Sequence, residues 1–373
     1  MNDVHESRTV PDGTQPVYRL RARTQFLPLN GTLQLHLGER RAKIRPSNDL
    51  VITFLNLIAA GGTREQIHRE FVKVHNDTGW LQIERILEHL IREGFIEQVN
   101  LPHNLPLEFL NRFERLTHFF SEFETDTQNR FDFLEQLRKA RVGIVGLGGL
   151  ASWVIYNLLC CGIEHLRVID ADVVELSNLN RSILFCEEDV GKPKVDVISR
   201  AARRFAPRVR VEGHQLFLSS SESLLPYIED LDLVIGLADQ PIWLVKQWIT
   251  EACQRAKVPV IQAGSGQVGP FYIPGESSCI MCRWAQILER DPMFPEAMAV
   301  LRKLPRRITG SISPWAGMVA SVLSMEVFRY LADYSQPVTI NAIWTINGRD
   351  MSASLIPLSI HPACPVCTKG QLT

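Results

Sequence analysis

Four of the eight cysteines fall into two Cys-x-x-Cys pairs, Cys279–Cys282 and Cys364–Cys367. Four thiolates at that spacing suit tetrahedral Zn²⁺. The stretch between the pairs, Arg283 to Ala363, is far longer than in a zinc finger, so the site would tie the chain's end back onto its domain. A closed four-sulfur site leaves no open coordination position, and its expected role is structural. His361, beside the second pair, reads as a surface residue rather than a ligand.

A second constellation begins at Arg141-Val-Gly-Ile-Val-Gly146-Leu-Gly148-Gly149-Leu-Ala151, a strand running into glycines and then a helix. Gly146-x-Gly148-x-x-Ala151 fits the G-x-G-x-x-G/A fingerprint. The glycines permit a tight turn and let backbone N–H groups approach a phosphate, with the positive end of the helix behind them. Asp170 ends the next strand, where an acid would hydrogen-bond a ribose hydroxyl. This much suits NAD, FAD, S-adenosylmethionine or ATP.

The residues that follow separate these ligands. After Asp170 come Asp172, Asn178 and Asn180-Arg181, then Asp189-Val-Gly191-Lys192-Pro-Lys194. A hydride-transferring enzyme has no need of so cationic a run, whereas a triphosphate has. Arg181 and Lys194 would neutralise phosphate oxygens, and Lys194 opens a helix. Asp239 follows a later strand at the carboxyl end of the sheet, where a carboxylate would bind Mg²⁺ together with phosphates.

These residues need a sheet to present them. Strands read at Val142 to Val145, Leu166 to Ile169, Val209 to Glu212, Leu233 to Ile235 and Val258 to Gln262. Helices fall between, near Leu150 to Cys161, Lys194 to Phe205 and Ile242 to Ala256. That alternation predicts an α/β, Rossmann-like, doubly wound and mostly parallel sheet with helices on both faces. From Gln267 the chain adds extended segments and one long apolar helix, Trp315 to Leu331.

Upstream, residues 16–100 read as a separate, winged-helix-like domain. Val17 to Phe26 and Thr32 to Leu37 alternate like strands, with a turn at Asn30-Gly31 and a short extended piece near Ala42 to Ile44. Three helices follow. Asp49 to Ala60 starts after a Ser47/Asn48 cap and stops at Gly61-Gly62; Thr63 to Val74 opens with the Thr63-x-x-Gln66 capping-box pattern. Trp80 to Glu93 has amphipathic spacing. Residues 1–15 form an expected disordered tail, and 101–140 a linker and helical arm, with Leu107 to Leu137 helical. The rest, 141–373, carries the nucleotide and cysteine motifs.

With 373 residues and 45% hydrophobic content the chain exceeds one ordinary core. Lys+Arg 40 against Asp+Glu 41 leaves no global charge favouring nucleic acid or an anionic membrane. No apolar run reaches the ~18 residues a membrane helix needs, and the polar start is not a secretory signal. The expectation is a soluble, cytoplasmic protein.

Taken together, Gly146-Leu-Gly-Gly, Asp170-x-Asp172, Ser177-Asn-Leu-Asn-Arg181, Gly191-Lys-Pro-Lys194 and Ala238-Asp239 resemble the motif series of the ubiquitin-activating-enzyme-like adenylyltransferases. That superfamily includes the activators of the molybdopterin and thiamine sulfur carriers. The resemblance spans about Arg112 to Cys367. It implies that Asp170 holds the ribose, that Arg181 and Lys194 bind phosphates, that Asp239 binds Mg²⁺ and that the two cysteine pairs hold zinc. It further implies an arginine supplied by a partner subunit from Asn111-Arg112-Phe-Glu-Arg115, with Arg115 as the finger, and hence a homodimer with composite sites. Ala151 stands where the family usually has a last glycine.

Two departures from the simpler members bear on function. Thioester-forming relatives place a cysteine after the first Cys-x-x-Cys, but Arg283 to Pro314 contains none. Cys160 and Cys161 read as core residues, and Cys186 and Cys253 show no acid–base partner, which disfavours a covalent relay. The addition is the domain at 16–100, which resembles the peptide clamp of enzymes that modify ribosomal peptides. The combined architecture resembles the peptide-modifying subgroup to which the microcin C adenylyltransferase and the pantocin A maturation enzyme belong. A cluster of Arg302, Lys303, Arg306 and Arg307 suggests an acidic substrate, with Arg306 or Arg307 orienting a carboxylate.

The expected reaction is attack of a peptide carboxylate, C-terminal or a Glu/Asp side chain, on the α-phosphorus of ATP. Attack at the γ-phosphorus, giving an acyl-phosphate and ADP, is the alternative chemistry. The rival readings are a sulfur-carrier adenylyltransferase, a dinucleotide-dependent oxidoreductase and a nucleotide-sensing DNA-binding regulator. The mixed charge of Trp80 to Glu93 speaks against the last.

Overall fold

Side-chain caps and glycine stops delimit the elements of the N-terminal part of the chain. The structure is a computed structural model and describes residues 16–21, 23–29, 31–45, 48–75, 77–99, 102, 104–125, 127–264, 266–303 and 310–367. It divides into two units between Arg112 and Phe113.

The first unit contains β1 (Val17–Leu20), β2 (Gln25–Leu29), β3 (Thr32–Leu37), β4 (Arg40–Ile44), α1 (Asp49–Ala60), α2 (Arg64–His75), α3 (Trp80–Arg92), β5 (Ile96–Val99) and α4 (Leu107–Arg112). Asn48 Oδ1 accepts from Val51 N at 3.2 Å and starts α1. Gly61, at φ +76°, ends it. Thr63 and Gln66 form the reciprocal box expected of them: Gln66 N donates to Thr63 Oγ1 at 3.2 Å and Thr63 N to Gln66 Oε1 at 2.9 Å. Ser47 and Asn30 lie outside the described residues, while Gly31 sits at φ +70° between β2 and β3. On α3, Ile83, Leu87 and Leu90 share one buried stripe. They pack in a core with Leu35, Phe54, Phe71 and Phe95.

The segment Val17 to Phe26 is not one strand. Thr24 N and Oγ1 both bond back to Arg21 O, at 3.3 and 2.8 Å, and this turn splits it. β1 pairs antiparallel with β5, whereas β2 begins a separate antiparallel sheet in the order β2-β3-β4.

Leu107 to Leu137 is likewise not continuous. In the second unit it yields α5 (Glu114–Phe120) and α6 (Arg130–Lys139). Thr125 N donates to Gln128 O at 2.9 Å, and Thr125 Oγ1 accepts from Gln128 N at 3.1 Å, a polar turn that outcompetes the helix. Asn129 and Asp132 then form a capping box that restarts it.

The second unit continues as β6 (Arg141–Val145), α7 (Gly149–Cys160), β7 (His165–Ile169), α8 (Lys194–Phe205), β8 (Arg210–His214), β9 (Leu233–Gly236), α9 (Leu244–Ala256), β10 (Val260–Gly264), β11 (Gln267–Tyr272), α10 (Ile280–Arg290), α11 (Phe294–Lys303), α12 (Ser313–Ala332), β12 (Ala342–Ile346) and β13 (Ala353–Pro357). The strands form one sheet in the order β13-β12-β11-β10-β9-β6-β7-β8. β10, β9, β6, β7 and β8 run parallel, and β11 to β13 extend one edge antiparallel. Leu233, Val234 and Ile235 of β9 are fully buried, as strands covered on both faces must be.

From β6 the order runs outward one way through β7 and β8 and the other way through β9 and β10. The direction of winding reverses there, and ligands of doubly wound sheets bind beyond the carboxyl ends of strands at such a point.

Candidate active site

The glycine turn sits at that reversal point. Gly146 follows β6 at φ +95°, and a Cβ on it would stand 2.4 Å from the backbone nitrogen of Ala238. Only glycine lets the chain turn here against the loop after β9. Leu237 N and Ala238 N both donate to Val145 O, at 2.8 and 2.9 Å, so the two loops are laced together. Asp239 is the next residue and is exposed. A Cβ on Gly148 would meet nothing within 4 Å, which leaves the approach to the first turn of α7 open. Ala151 is fully buried, so the last fingerprint position serves helix-to-sheet packing.

Asp170 faces the same turn. Its Oδ2 accepts from Leu147 N at 2.5 Å and its Oδ1 from Asp172 N at 2.7 Å. Burial raises its carboxyl above the usual aspartate range, a shift opposed by the nearby Lys194 ammonium and the two backbone donors. Lys194 is 7% exposed; its Nζ lies 2.8 Å from Asp172 Oδ2 and 3.9 Å from Asp170 Oδ1. Its backbone nitrogen also donates to Asp172 O at 3.0 Å. The first residue of α8 is thus fixed at both ends to the loop after β7.

Arg181 closes the other flank. A Cβ on Gly149 would fall 2.4 Å from Arg181 Cγ. One terminal nitrogen of the guanidinium donates to Ser177 O at 2.7 Å and Asn180 Oδ1 at 2.9 Å, and Nε and the second terminal nitrogen make no hydrogen bond among the described residues. Asn178 is buried, and its Oδ1 accepts from Glu175 N at 3.1 Å, so this side chain caps its own turn.

The structure therefore brings Gly146, Gly148, Gly149, Asp170, Asp172, Arg181 and Lys194 together, with Asn178 shaping the turn behind Arg181 and Asp239 beyond the adjacent strand. Arg115 stands apart from these hydrogen bonds, exposed on α5. Arg306 and Arg307 lie outside the described residues, as do the side chains of Arg302 and Lys303.

Two contributors escaped the sequence reading. Trp153 Nε1 donates to Arg181 O at 3.1 Å, holding the arginine's turn to α7. Its position on the second turn of the fingerprint helix was the available signal. Lys246, in the first turn of α9, has its ammonium held below the ordinary lysine range by burial, against the pull of Asp239. It places an amine beside the loop after β9, and no spacing in the sequence pointed to it.

The four paired cysteines form one buried cluster, with all Sγ atoms within 4.8 Å of one another. Cys279–Cys282, Cys279–Cys364 and Cys282–Cys367 are separated by 4.0, 3.6 and 3.5 Å. A tetrahedral zinc with ~2.3 Å bonds sets its sulfurs about 3.8 Å apart, so the donor set fits that ion and is too wide for disulfides. His361 N and Cys367 N each donate to a cluster sulfur at 3.4 Å. His361 is not a ligand: Nδ1 accepts from Ala363 N at 3.1 Å and Nε2 meets Glu289 at 2.9 Å. Nor is it simply a surface residue, since its side chain is 11% exposed.

The other thiols are not set up as nucleophiles. Cys160 and Cys161 are not core residues as expected; at the end of α7 the first is exposed and the second half-buried. Burial pushes the Cys161 thiol up to about 12 and raises that of fully buried Cys253. Cys186 does have an acidic partner, donating to Asp189 at 3.1 Å, but that hydrogen bond raises its pKa, the wrong direction for a thiolate.

Residues 120–366 match the ThiF family. The molybdopterin-synthase adenylyltransferase of Escherichia coli K12 is 30% identical over 245 residues, which make up 64% of this chain and 90% of that protein. Among solved structures, Escherichia coli MccB with AMPCPP and MccA superposes with a TM-score of 0.64 at 22% identity, over 94% of this chain and 99% of that one. PaaA superposes with a TM-score of 0.67 at 22% identity, over 90% and 98%. At these identities the structural likeness is one of fold.

Proposed function

The chain belongs to the ThiF family and is an ATP-dependent adenylyltransferase, and we propose that its substrate is a carboxylate of a ribosomally made precursor peptide in peptide-antibiotic biosynthesis. The observation that carries this is the reach of the likeness. The molybdopterin-synthase relative uses 90% of its own length in matching only 64% of this chain, which leaves it no counterpart of the first unit. MccB, described as a microcin C7 biosynthetic enzyme and solved with N-formylated MccA, matches across 94% of this chain. On this reading residues 16–100 hold the precursor's leader, and residues 141–373 activate its carboxylate. A held leader raises the effective concentration of the reacting carboxylate at the nucleotide.

The triphosphate lies over the Gly146–Gly149 turn, with the ribose on Asp170. A carboxylate oxygen of the peptide attacks the α-phosphorus, the bond to the β-phosphate oxygen breaks, and acyl-adenylate and pyrophosphate form. Lys194 and the two open nitrogens of Arg181 stabilise the charge that gathers on the phosphates. Asp239 would hold Mg²⁺, which offsets phosphate charge when bound. Arg115 comes from a second copy of the chain, giving a homodimer with composite sites. Cys279, Cys282, Cys364 and Cys367 hold a structural zinc, and the enzyme works in the cytoplasm. A nucleophile of the same peptide then captures the acyl group, since no thiol is poised to take it.

Exchange of labelled pyrophosphate into ATP tests the reading. It should require Mg²⁺, collapse in Asp239→Asn and depend on a short peptide encoded beside the gene. Stimulation by a ubiquitin-like sulfur carrier instead would establish the alternative, a sulfur-carrier adenylyltransferase.

A further inference from the structure

We propose that Asn180 is a positioning residue that ties the guanidinium of Arg181 to the chain entering α12, so that nucleotide binding and order at that entry are coupled. This rests on the reading that Arg181 binds phosphate, and it adds to that site a link spanning 131 residues of sequence.

A guanidinium offers donors alone, and a backbone carbonyl offers acceptors alone. One side chain joins such a pair only if it carries both functions, and an amide carries them on separate atoms. Asn180 is placed in this way. Its Oδ1 accepts from a terminal nitrogen of Arg181 at 2.9 Å, and its Nδ2 donates to Ser311 O at 3.0 Å. The chemistry of the two partners fixes which way round the amide sits. The nitrogen that Asn180 holds is the one that also donates to Ser177 O at 2.7 Å. Both protein tethers thus fall on one end of the guanidinium, and the bond to Oδ1 is charge-assisted. Without Asn180 one of these two tethers is lost.

Ser311 immediately precedes Ile312, the N-cap of α12. α12 lies along α7, where Asn157 Nδ2 donates to Ser324 Oγ at 3.2 Å and a Cβ on Gly317 would stand 3.4 Å from the Trp153 ring. Trp153 in turn holds Arg181 O. The main chain of Arg181 is therefore anchored to the body of the α7–α12 pair, and its side chain to the entry of α12. That entry is thinly covered: Gly310 is exposed and Ile312 is 62% exposed. A segment with so little burial opens at low cost, and one long-range hydrogen bond weighs heavily in its order. Linkage makes the effect mutual. A phosphate that steadies Arg181 slows opening at Ser311, and a steady Ser311 tightens the grip on phosphate.

The test combines calorimetric titration of the full-length protein with α,β-methylene-ATP (AMPCPP) and Mg²⁺, and amide hydrogen exchange over residues 310–316. Asn180 is exposed, so substitutions there leave the core intact. In wild type, AMPCPP should slow exchange over 310–316 by at least about threefold. Asn180→Ala should weaken AMPCPP about tenfold, speed the nucleotide-free exchange of 310–316, and abolish its response to saturating AMPCPP. Asn180→Asp keeps the acceptor for Arg181 and loses the donor for Ser311 O, so its nucleotide-free exchange should match that of Asn180→Ala. In an Arg181→Ala background, Asn180→Ala should weaken AMPCPP by less than about twofold more. Exchange over 310–316 indifferent to AMPCPP or to Asn180→Ala, wild-type exchange in Asn180→Asp, or additive losses of affinity would each overturn the proposal. Unchanged affinity in Arg181→Ala would remove the phosphate reading itself. Weakened affinity in Arg181→Ala with an inert Asn180→Ala would remove only the link.

Discussion

Gly149 and Arg181 are packed so closely that a methyl group on the glycine would stand 2.4 Å from the arginine's Cγ. The glycine therefore leaves the space in which Arg181, the cation proposed for the phosphates, rests. Gly149→Ala should displace Arg181 and lower pyrophosphate exchange by roughly tenfold to a hundredfold, with unfolding free energy changed by about 1 kcal/mol or less. In an Arg181→Ala background the same substitution should add little further loss. Additive losses would show that Gly149 acts on the phosphates alone.

Lys194 is the buried counterion of the loop after β7, contacting Asp172 and Asp170. Lys194→Met keeps its bulk and removes its charge. Exchange should fall by about a hundredfold or more. Lys194→Arg should restore part of the ATP affinity, as a larger cation in a fixed pocket. Turnover unaltered in Lys194→Met would remove this residue from the chemistry.

Asp170 gives a pH signature. Its carboxyl is raised, chiefly by burial, so the folded chain binds more protons than the unfolded one between the ordinary aspartate value of about 4 and the raised value. Stability from this group is present below that window and is lost as pH rises through it. The unfolding free energy of wild type minus that of Asp170→Asn should decline with rising pH across the window and then level off. A difference that grows with pH would mean that Lys194 and the backbone donors outweigh burial.

The cysteine cluster predicts metal content. Purified protein should carry about one zinc per chain, and Cys282→Ser should lose it and lower the melting temperature of the second unit. Chelation of wild type should shift the same transition. Full stability in metal-free protein would mean that the thiols pack without an ion.

Much of this was legible before any coordinates. The parallel strands announce themselves as short apolar runs, and the caps of α1 and α2 stand at the residues whose side chains make them, Asn48 and Thr63. The two misread segments share a cause. Val17 to Phe26 and Leu107 to Leu137 keep their periodicity across breaks made by side-chain-to-backbone bonds at Thr24 and Thr125, and periodicity does not register such competition. Trp153 and Lys246 were missed for a different reason. Each acts on a partner brought near by the sheet, and neither belongs to a spaced motif. The charge of α3 is the sharpest case, since a count along the helix gives balance while Arg64 of α2 pairs with both of its acids, Glu84 and Glu88.

The four-sulfur cluster joins Cys279 and Cys282 to Cys364 and Cys367, enclosing α12 and the antiparallel edge β12–β13 between its two halves. A ribosome must therefore deliver Cys367 before the cluster can assemble. Any messenger that terminates before the second pair yields a product in which Cys279 and Cys282 lack their partners, and oxidative damage to either knuckle releases the same stretch of chain. Maturation of the adenylating unit in this sense waits on the second cysteine pair, which is made after every described strand of its sheet.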